Sequence, residues 1–223
     1  MKRVHIICEG QTEETFVNEV LGPHLARYDV FPYASLVGKP GHKGGHVTTG
    51  RMVGDIKLRL LGDPQAWCTT FFDFYGLDSE FVGKDEASSK PSYDDKAWLI
   101  EAALRKHVLA ATDENVIRRF FPYVQMYEFE GLLFSDPVKL AAGLYVPGLE
   151  KNFVEIRNSF STPEEINDSR RTAPSKRILE LMPVYEKPLY GSLAALEVGI
   201  DNIRRECKRF NEWLTQLEKL GSI

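Results

Sequence analysis

The sequence predicts an α/β fold: a parallel sheet flanked by helices over residues 1–135, with a mainly helical C-terminal part, residues 136–223, packed on it. Three observations carry this expectation. Short apolar runs ending in a carboxylate followed closely by glycine recur in the first half, segments of helical spacing lie between them, and from Asp136 onward helical spacing dominates. Strands alternating with helices imply parallel neighbours joined by right-handed crossovers.

The run Val4-His5-Ile6-Ile7-Cys8, closed by Glu9-Gly10, reads as a buried parallel strand. Thr12 to Leu25 follows with Phe16, Val20, Leu21 and Leu25 at helical spacing. Val30 to Val37 reads as a second strand, then a Gly-rich loop through Gly38, Lys39, His42, Lys43 and His46, then a helix from about Thr49 to Leu61. Trp67 to Asp73 is a third strand. It ends in a carboxylate with Gly76 close behind, and Gly83 to Ser92 has the composition of a mobile loop, placed where a substrate lid would lie. The next helix, Tyr93 to Leu109, is expected to bury Trp98, Ala102, Leu104 and Val108, and Phe121 to Met126 is a fourth strand ending in Glu128-Phe129-Glu130-Gly131. In the C-terminal part, Ser161 to Asn167 reads as a capped helix start and Ser175 to Leu181 as a short helix opened by Pro174. Ile200 to Leu220 reads as one long amphipathic helix with Ile203, Cys207, Phe210, Trp213, Leu214 and Leu217 on its apolar stripe.

Composition narrows the class. The chain has 223 residues with 43% hydrophobic and 27% charged, ordinary for globular material. No apolar stretch approaches the roughly 20 residues of a membrane span, Glu9 interrupts any secretory apolar region, and Cys8, Cys68 and Cys207 are too few and scattered for a disulfide framework. A cytoplasmic protein without membrane partners is the expectation. The net charge of −4 argues against a basic coat for long DNA, and residues 1–149, with 16 basic against 20 acidic side chains, carry all of it. Local basic groups remain for a phosphate: the 39–46 loop, Arg170, Arg171, Lys176 and Arg177, and Arg204, Arg205, Lys208 and Arg209.

Parallel strands place Glu9, Asp73 and Glu128 or Glu130 along one edge of one sheet, where ligand sites of open α/β sheets lie. A carboxylate after an apolar strand is partly desolvated, so Glu9 needs a cation or hydrogen-bond donors. Thr12, Glu13 and Glu14 also suit a helix N-terminus, where a cap and the dipole favour them. If the segment stays extended, Glu128 and Glu130 share a side, with Phe129 opposite. His42 and His46 are four apart, but a Gly-rich loop gives them no helical scaffold for zinc.

Four segments together resemble one family: Glu9-Gly10-Gln11-Thr12-Glu13, Asp73-Phe74-Tyr75-Gly76, Gln125 to Asp136 and Ala173-Pro174-Ser175-Lys176-Arg177. This is the domain of unknown function 4276, and the resemblance covers nearly the whole chain. That family is similar to Toprim domains, the metal-dependent fold of topoisomerases, primases and overcoming-lysogenization-defect nucleases. The resemblance implies a Toprim/Rossmann-like sheet and Mg²⁺- or Mn²⁺-dependent phosphodiester chemistry, with a Glu after the first strand and an Asp-x-Asp after a later one. Glu9 matches the Glu and Asp73 the first Asp. Tyr75 stands at the second Asp, which removes a ligand that Glu13, Glu128 or Glu130 would have to replace. The expected activity is a phosphodiesterase or nuclease in which Glu9 and Asp73 hold the ion and Lys43, or a basic residue of 170–177, meets the phosphate of a nucleic acid or nucleotide. The alternatives are a non-catalytic partner of an ATPase, as in phage-defence systems, and a small-molecule phosphoesterase.

Overall fold

The first apolar run becomes strand β1 (Lys2–Cys8), which lies between β2 (Val30–Leu36) and β3 (Trp67–Asp73). β3 pairs in turn with β4 (Phe120–Phe121) and, further along, with β5 (Val124–Gln125), and all these pairings are parallel. The computed structural model describes residues 1–38, 47–166, 169 and 171–222. The expected strand from Phe121 to Met126 is thus two short pieces separated by Pro122 and Tyr123, because proline has no N–H for a ladder bond. Thr70 Oγ1 spans the break, accepting from Tyr123 N and donating to Tyr123 O, each at 2.9 Å.

Both faces of the sheet are covered, so the strands are buried on two sides. Val4, Ile6, Cys8 and Phe71 face one apolar layer and Ile7, Cys68 and Phe72 the other, the period-2 alternation of a pleated strand. The second layer is closed by the helices Thr49–Gly62 and Tyr93–Ala111, whose first turns are capped by Thr48 and Ser92 hydroxyls accepting from Arg51 N and Asp95 N. The expected apolar stripe of the latter is corrected: Ala97, Ile100, Leu104 and Val108 are buried, whereas Trp98 is 64% exposed and Ala102 also faces outward. The pair Ile100 and Leu104, one helical turn apart, sets the buried face.

The first layer is built by residues 11–26, a rod with a π-helical turn at Val17–Leu21, together with the C-terminal helices. Phe16, Phe129, Phe210 and Trp213 meet there, Trp213 stacks on Tyr123 with ring centroids 4.6 Å apart, and its indole N–H donates to Thr69 Oγ1 at 2.9 Å. Residues on both sides of position 135 therefore share one apolar layer. The expected long terminal helix is two, Ile200–Glu206 and Lys208–Lys219, broken at Cys207. The break has a cause outside the helix. The Glu164 carboxylate accepts from Arg209 N at 3.0 Å and Phe210 N at 3.1 Å, giving the second helix its own capped start. Glu164 sits in a short 3₁₀ turn, Pro163–Glu165, where a longer capped helix was expected; Asn167 lies outside the described residues.

The Gly83 to Ser92 segment does not stand free as a lid. It holds the helix Lys84–Ser88, entered through Gly83 in the left-handed region (φ 77°), and the buried Lys84 ammonium donates to Phe74 O and lies 3.3 Å from the Phe74 ring centroid. Among the described residues no helix is long and apolar enough to cross a membrane.

Candidate functional site

The order β2-β1-β3 makes the carboxyl edge between β1 and β3 a point where the chain leaves in opposite directions, and a crevice opens at such a point. Cys8 pairs with Phe71, so Glu9 and Asp73 emerge side by side. Glu9 Oε2 accepts from Asp73 N at 3.1 Å. Gly76 makes room for it: a Cβ there would lie 2.0 Å from Glu9 Oε2. The glycine after Asp73-Phe74-Tyr75 is thus a seat for the Glu9 carboxylate.

Three further side chains close the centre. Glu13, in the first turn of the helix Gln11–Phe16, uses Oε2 to accept from Gly10 N at 3.0 Å and turns Oε1 inward. It serves as helix cap and as part of the acidic centre together. Glu130 opens the one-turn helix Glu130–Leu133 after β5 and is fully buried, with Oε1 accepting from the Tyr185 hydroxyl at 3.2 Å. Lys187 enters from the C-terminal part. Its Nζ lies 2.9 Å from Asp73 Oδ2, 3.3 Å from Glu13 Oε1 and 3.3 Å from Glu130 Oε2.

Four carboxylates around one ammonium leave negative charge uncompensated in a poorly solvated place. Burial is the main cause that raises the Glu9 carboxyl to about 7, reinforced by Glu13. Burial likewise raises Asp73 well above the usual carboxylate range, with Lys187 opposing, and it raises Glu130. For Lys187, burial pulls the ammonium down, but Asp73, Glu130 and Glu13 outweigh it and hold it well above its ordinary value. Asp73 Oδ1 is buried with no hydrogen-bond partner. Such groups are costly unless something compensates them, and all-oxygen carboxylate donors are the set a hard divalent ion takes. Among the described residues no three His, Cys, Asp or Glu side chains are arranged to hold a metal ion as they stand.

Of the residues singled out from the sequence, Glu9, Glu13, Asp73 and Glu130 come together. Glu128 does not join them: it accepts from Ser175 N at 2.9 Å at the start of the helix Pro174–Leu181. The expected alternation fails because the chain is helical from Glu130, so the two acids diverge. Glu128 instead ties together two segments of the family resemblance. Tyr75 turns into an aromatic cluster, with ring centroids 6.0 Å from Phe74 and 5.6 Å from Tyr127, and Glu130 brings the additional carboxylate from the helix turn after β5. Lys43, with Lys39, His42, His46 and Arg170, lies outside the described residues. The basic cluster on the last helices is largely engaged within the fold: Arg209 bonds Asp94 and Glu101 at 2.6 Å each, Arg204 pairs with Glu218, and Lys208 pairs with Asp94 at 3.2 Å. Sequence reasoning missed Lys187 and Tyr185. Neither belongs to a periodic pattern or a strand end, and only the packing of the C-terminal part brings them to the acids.

The chain matches the family model described as Domain of unknown function (DUF4276) over residues 8–218, and it belongs to that family. No curated protein and no solved structure matches it.

Proposed function

We propose that this DUF4276 protein is a divalent-metal-dependent phosphodiesterase or nuclease of Toprim-like type, with Glu9, Glu13, Asp73 and Glu130 as the residues that hold the ion. The observation that carries the reading is the convergence of carboxylates from two strand ends, Glu9 and Asp73, and two helix starts, Glu13 and Glu130, on a crevice at the β1/β3 edge, with Asp73 Oδ1 buried and unpartnered. A bound Mg²⁺ or Mn²⁺ supplies Lewis acidity toward a phosphoryl oxygen and orients a water. Glu9, seated over Gly76 and held by Asp73 N, fixes one side of the centre. Glu130, held by the Tyr185 hydroxyl, fixes the other and stands in for the acid that Tyr75 lacks.

The internal pairing of Arg204 and Arg209 removes two basic groups from a phosphate-binding face, which favours a nucleotide, a small phosphoester or a short single strand over a long duplex. Lys43 or a basic residue of 170–177 is the phosphate contact of this reading, although Arg177 already donates to Thr172 O at 2.8 Å and lies over the Phe160 ring. A second reading has its own support: Lys187 already neutralises part of the centre, as in a core that has given up metal chemistry and serves as partner to an ATPase, for instance in phage defence. Titration calorimetry with Mn²⁺ on the wild type and Glu9→Ala, followed by cleavage assays on DNA, RNA and nucleotides, separates the two. Binding that is lost in Glu9→Ala and accompanied by cleavage supports the enzyme. No Mn²⁺ binding by the wild type supports the partner subunit.

A further inference from the structure

We propose that Lys187 is a tethered counter-ion that occupies the metal position, so that ammonium and divalent ion exclude one another and metal loading requires the Lys187 side chain to swing out. The inference rests on the metal-centre reading above and adds a regulatory element to it. Lys187 Nζ lies within 3.3 Å of oxygens from Glu13, Asp73 and Glu130, side chains that come from three different elements. A Mg²⁺ or Mn²⁺ ion would draw on the same three carboxylates, so ammonium and metal compete for one set of oxygens. Sterics and like charge both forbid joint occupancy. The oxygens are sealed in, whereas the Lys187 side chain is 34% exposed, so its way out leads toward solvent.

The chain is anchored on both sides of Lys187, with Tyr190 N bonded to Glu186 O across it at 2.9 Å, so the exchange falls to the side chain. Before it, the Tyr185 hydroxyl is bonded to Glu130. After it, Ser192 Oγ donates to Pro188 O at 2.8 Å, and a Cβ on Gly191 would lie 3.0 Å from the Tyr185 hydroxyl and 3.2 Å from Thr12. A lysine stem has four carbons and three rotatable donors, enough reach to leave a site without moving its Cα. The buried Asp73 Oδ1, unpartnered while the ammonium is bound to Oδ2, is an acceptor that the ammonium leaves unused and a metal ion with several ligands can use.

The test compares Mn²⁺ affinity by titration calorimetry in the wild type, Lys187→Met and Lys187→Arg at one pH, and follows acetylation of Lys187 in the wild type by mass spectrometry with and without saturating Mn²⁺. The expected results are at least tenfold tighter Mn²⁺ binding by Lys187→Met, no tightening by Lys187→Arg, and faster Lys187 acetylation when Mn²⁺ is bound. Equal or weaker binding by Lys187→Met, with the wild type still binding, overturns the counter-ion role and leaves the metal centre standing. Acetylation unaffected by Mn²⁺ overturns it as well, and this arm needs no variant to fold. Absence of Mn²⁺ binding in both the wild type and Lys187→Met overturns the metal reading itself, and the counter-ion role with it.

Discussion

Gly76→Ala perturbs the centre without touching an acid. The new Cβ would lie 2.0 to 2.2 Å from the Glu9 carboxylate, a contact no real Cβ makes, and the atoms that must yield are the far end of a flexible side chain. Glu9 is therefore expected to leave its seat while the backbone stays. Its carboxyl is raised from 4.5 to about 7 by burial, which at about 1.4 kcal/mol per pH unit costs the fold roughly 3 kcal/mol at pH 8, discounted to ~2 kcal/mol because Glu9 is only partly shielded from water. The sign follows from linkage. An acid whose folded pKa is raised costs nothing below pH 4.5, and the cost grows as pH climbs through 7. Ejecting the carboxylate removes that cost, forfeits its bond from Asp73 N, worth about 1 kcal/mol, and Ala restricts the unfolded chain for a gain of about 0.5 kcal/mol. Gly76→Ala should thus be near neutral at pH 5, about 1.5 kcal/mol more stable than wild type at pH 8, and severely weakened in Mn²⁺ binding. Urea denaturation at the two pH values and calorimetry check all three. A variant destabilised by more than about 2 kcal/mol at pH 8, or one that binds Mn²⁺ as the wild type does, refutes the seating of Glu9 by Gly76.

Asp73→Asn keeps the shape of the strand end and removes the charge nearest Lys187, so any metal-dependent rate should fall about a hundredfold or more with the circular dichroism spectrum unchanged; a rate within tenfold of wild type counts against Asp73 as a ligand. Arg209→Met leaves Asp94 and the more buried Glu101 without their shared partner and should cost about 3 kcal/mol or more in urea denaturation, with Arg209→Lys recovering only part because it cannot bridge both acids in the same fork. Glu164→Ala strips the cap from Arg209 N and Phe210 N. Burial raises the Glu164 carboxyl to about 7 despite those two donors, so its contribution is fully present below pH 4.5 and diminishes as pH rises through 7. The stability difference between wild type and Glu164→Ala should shrink by about 3 kcal/mol between pH 4.5 and 8, and a difference that is flat with pH would contradict this.

Where each side chain's environment is local, the sequence was a good guide. β1 and β3 hold mostly buried runs, Val4, Ile6, Ile7 and Cys8 in the one and Cys68 to Asp73 in the other, and they end where the carboxylates Glu9 and Asp73 stand with a glycine close behind. Parallel pairing then brings Glu9 and Asp73 together with no further information. Local reading failed where a distant group decides the outcome. The last apolar stripe reads as one helix because Ile203, Cys207, Phe210 and Leu214 keep helical spacing across the break, and the break itself is made by Glu164, 45 residues away from Arg209. Period-2 reasoning at Glu128 and Glu130 failed because Glu130 begins a helix and Ser175 draws Glu128 aside.

The sequence by itself determined the parallel sheet, the family and two of the acids at its edge, because burial on both faces forces continuous apolar runs and strand ends are written in the residues that interrupt them. Tertiary structure decided the rest of the centre. Glu130 enters through a helix turn, Glu13 divides its two oxygens between a cap and the acids, and Lys187 arrives from 114 residues beyond Asp73. Their meeting depends on the C-terminal helices packing into the same apolar layer as the helix after β1, a non-local contact that leaves no period or spacing in the chain. The charge balance follows the same rule: the carboxyl groups of Glu9, Asp73 and Glu130 are raised by burial, and burial is a property of the packed molecule.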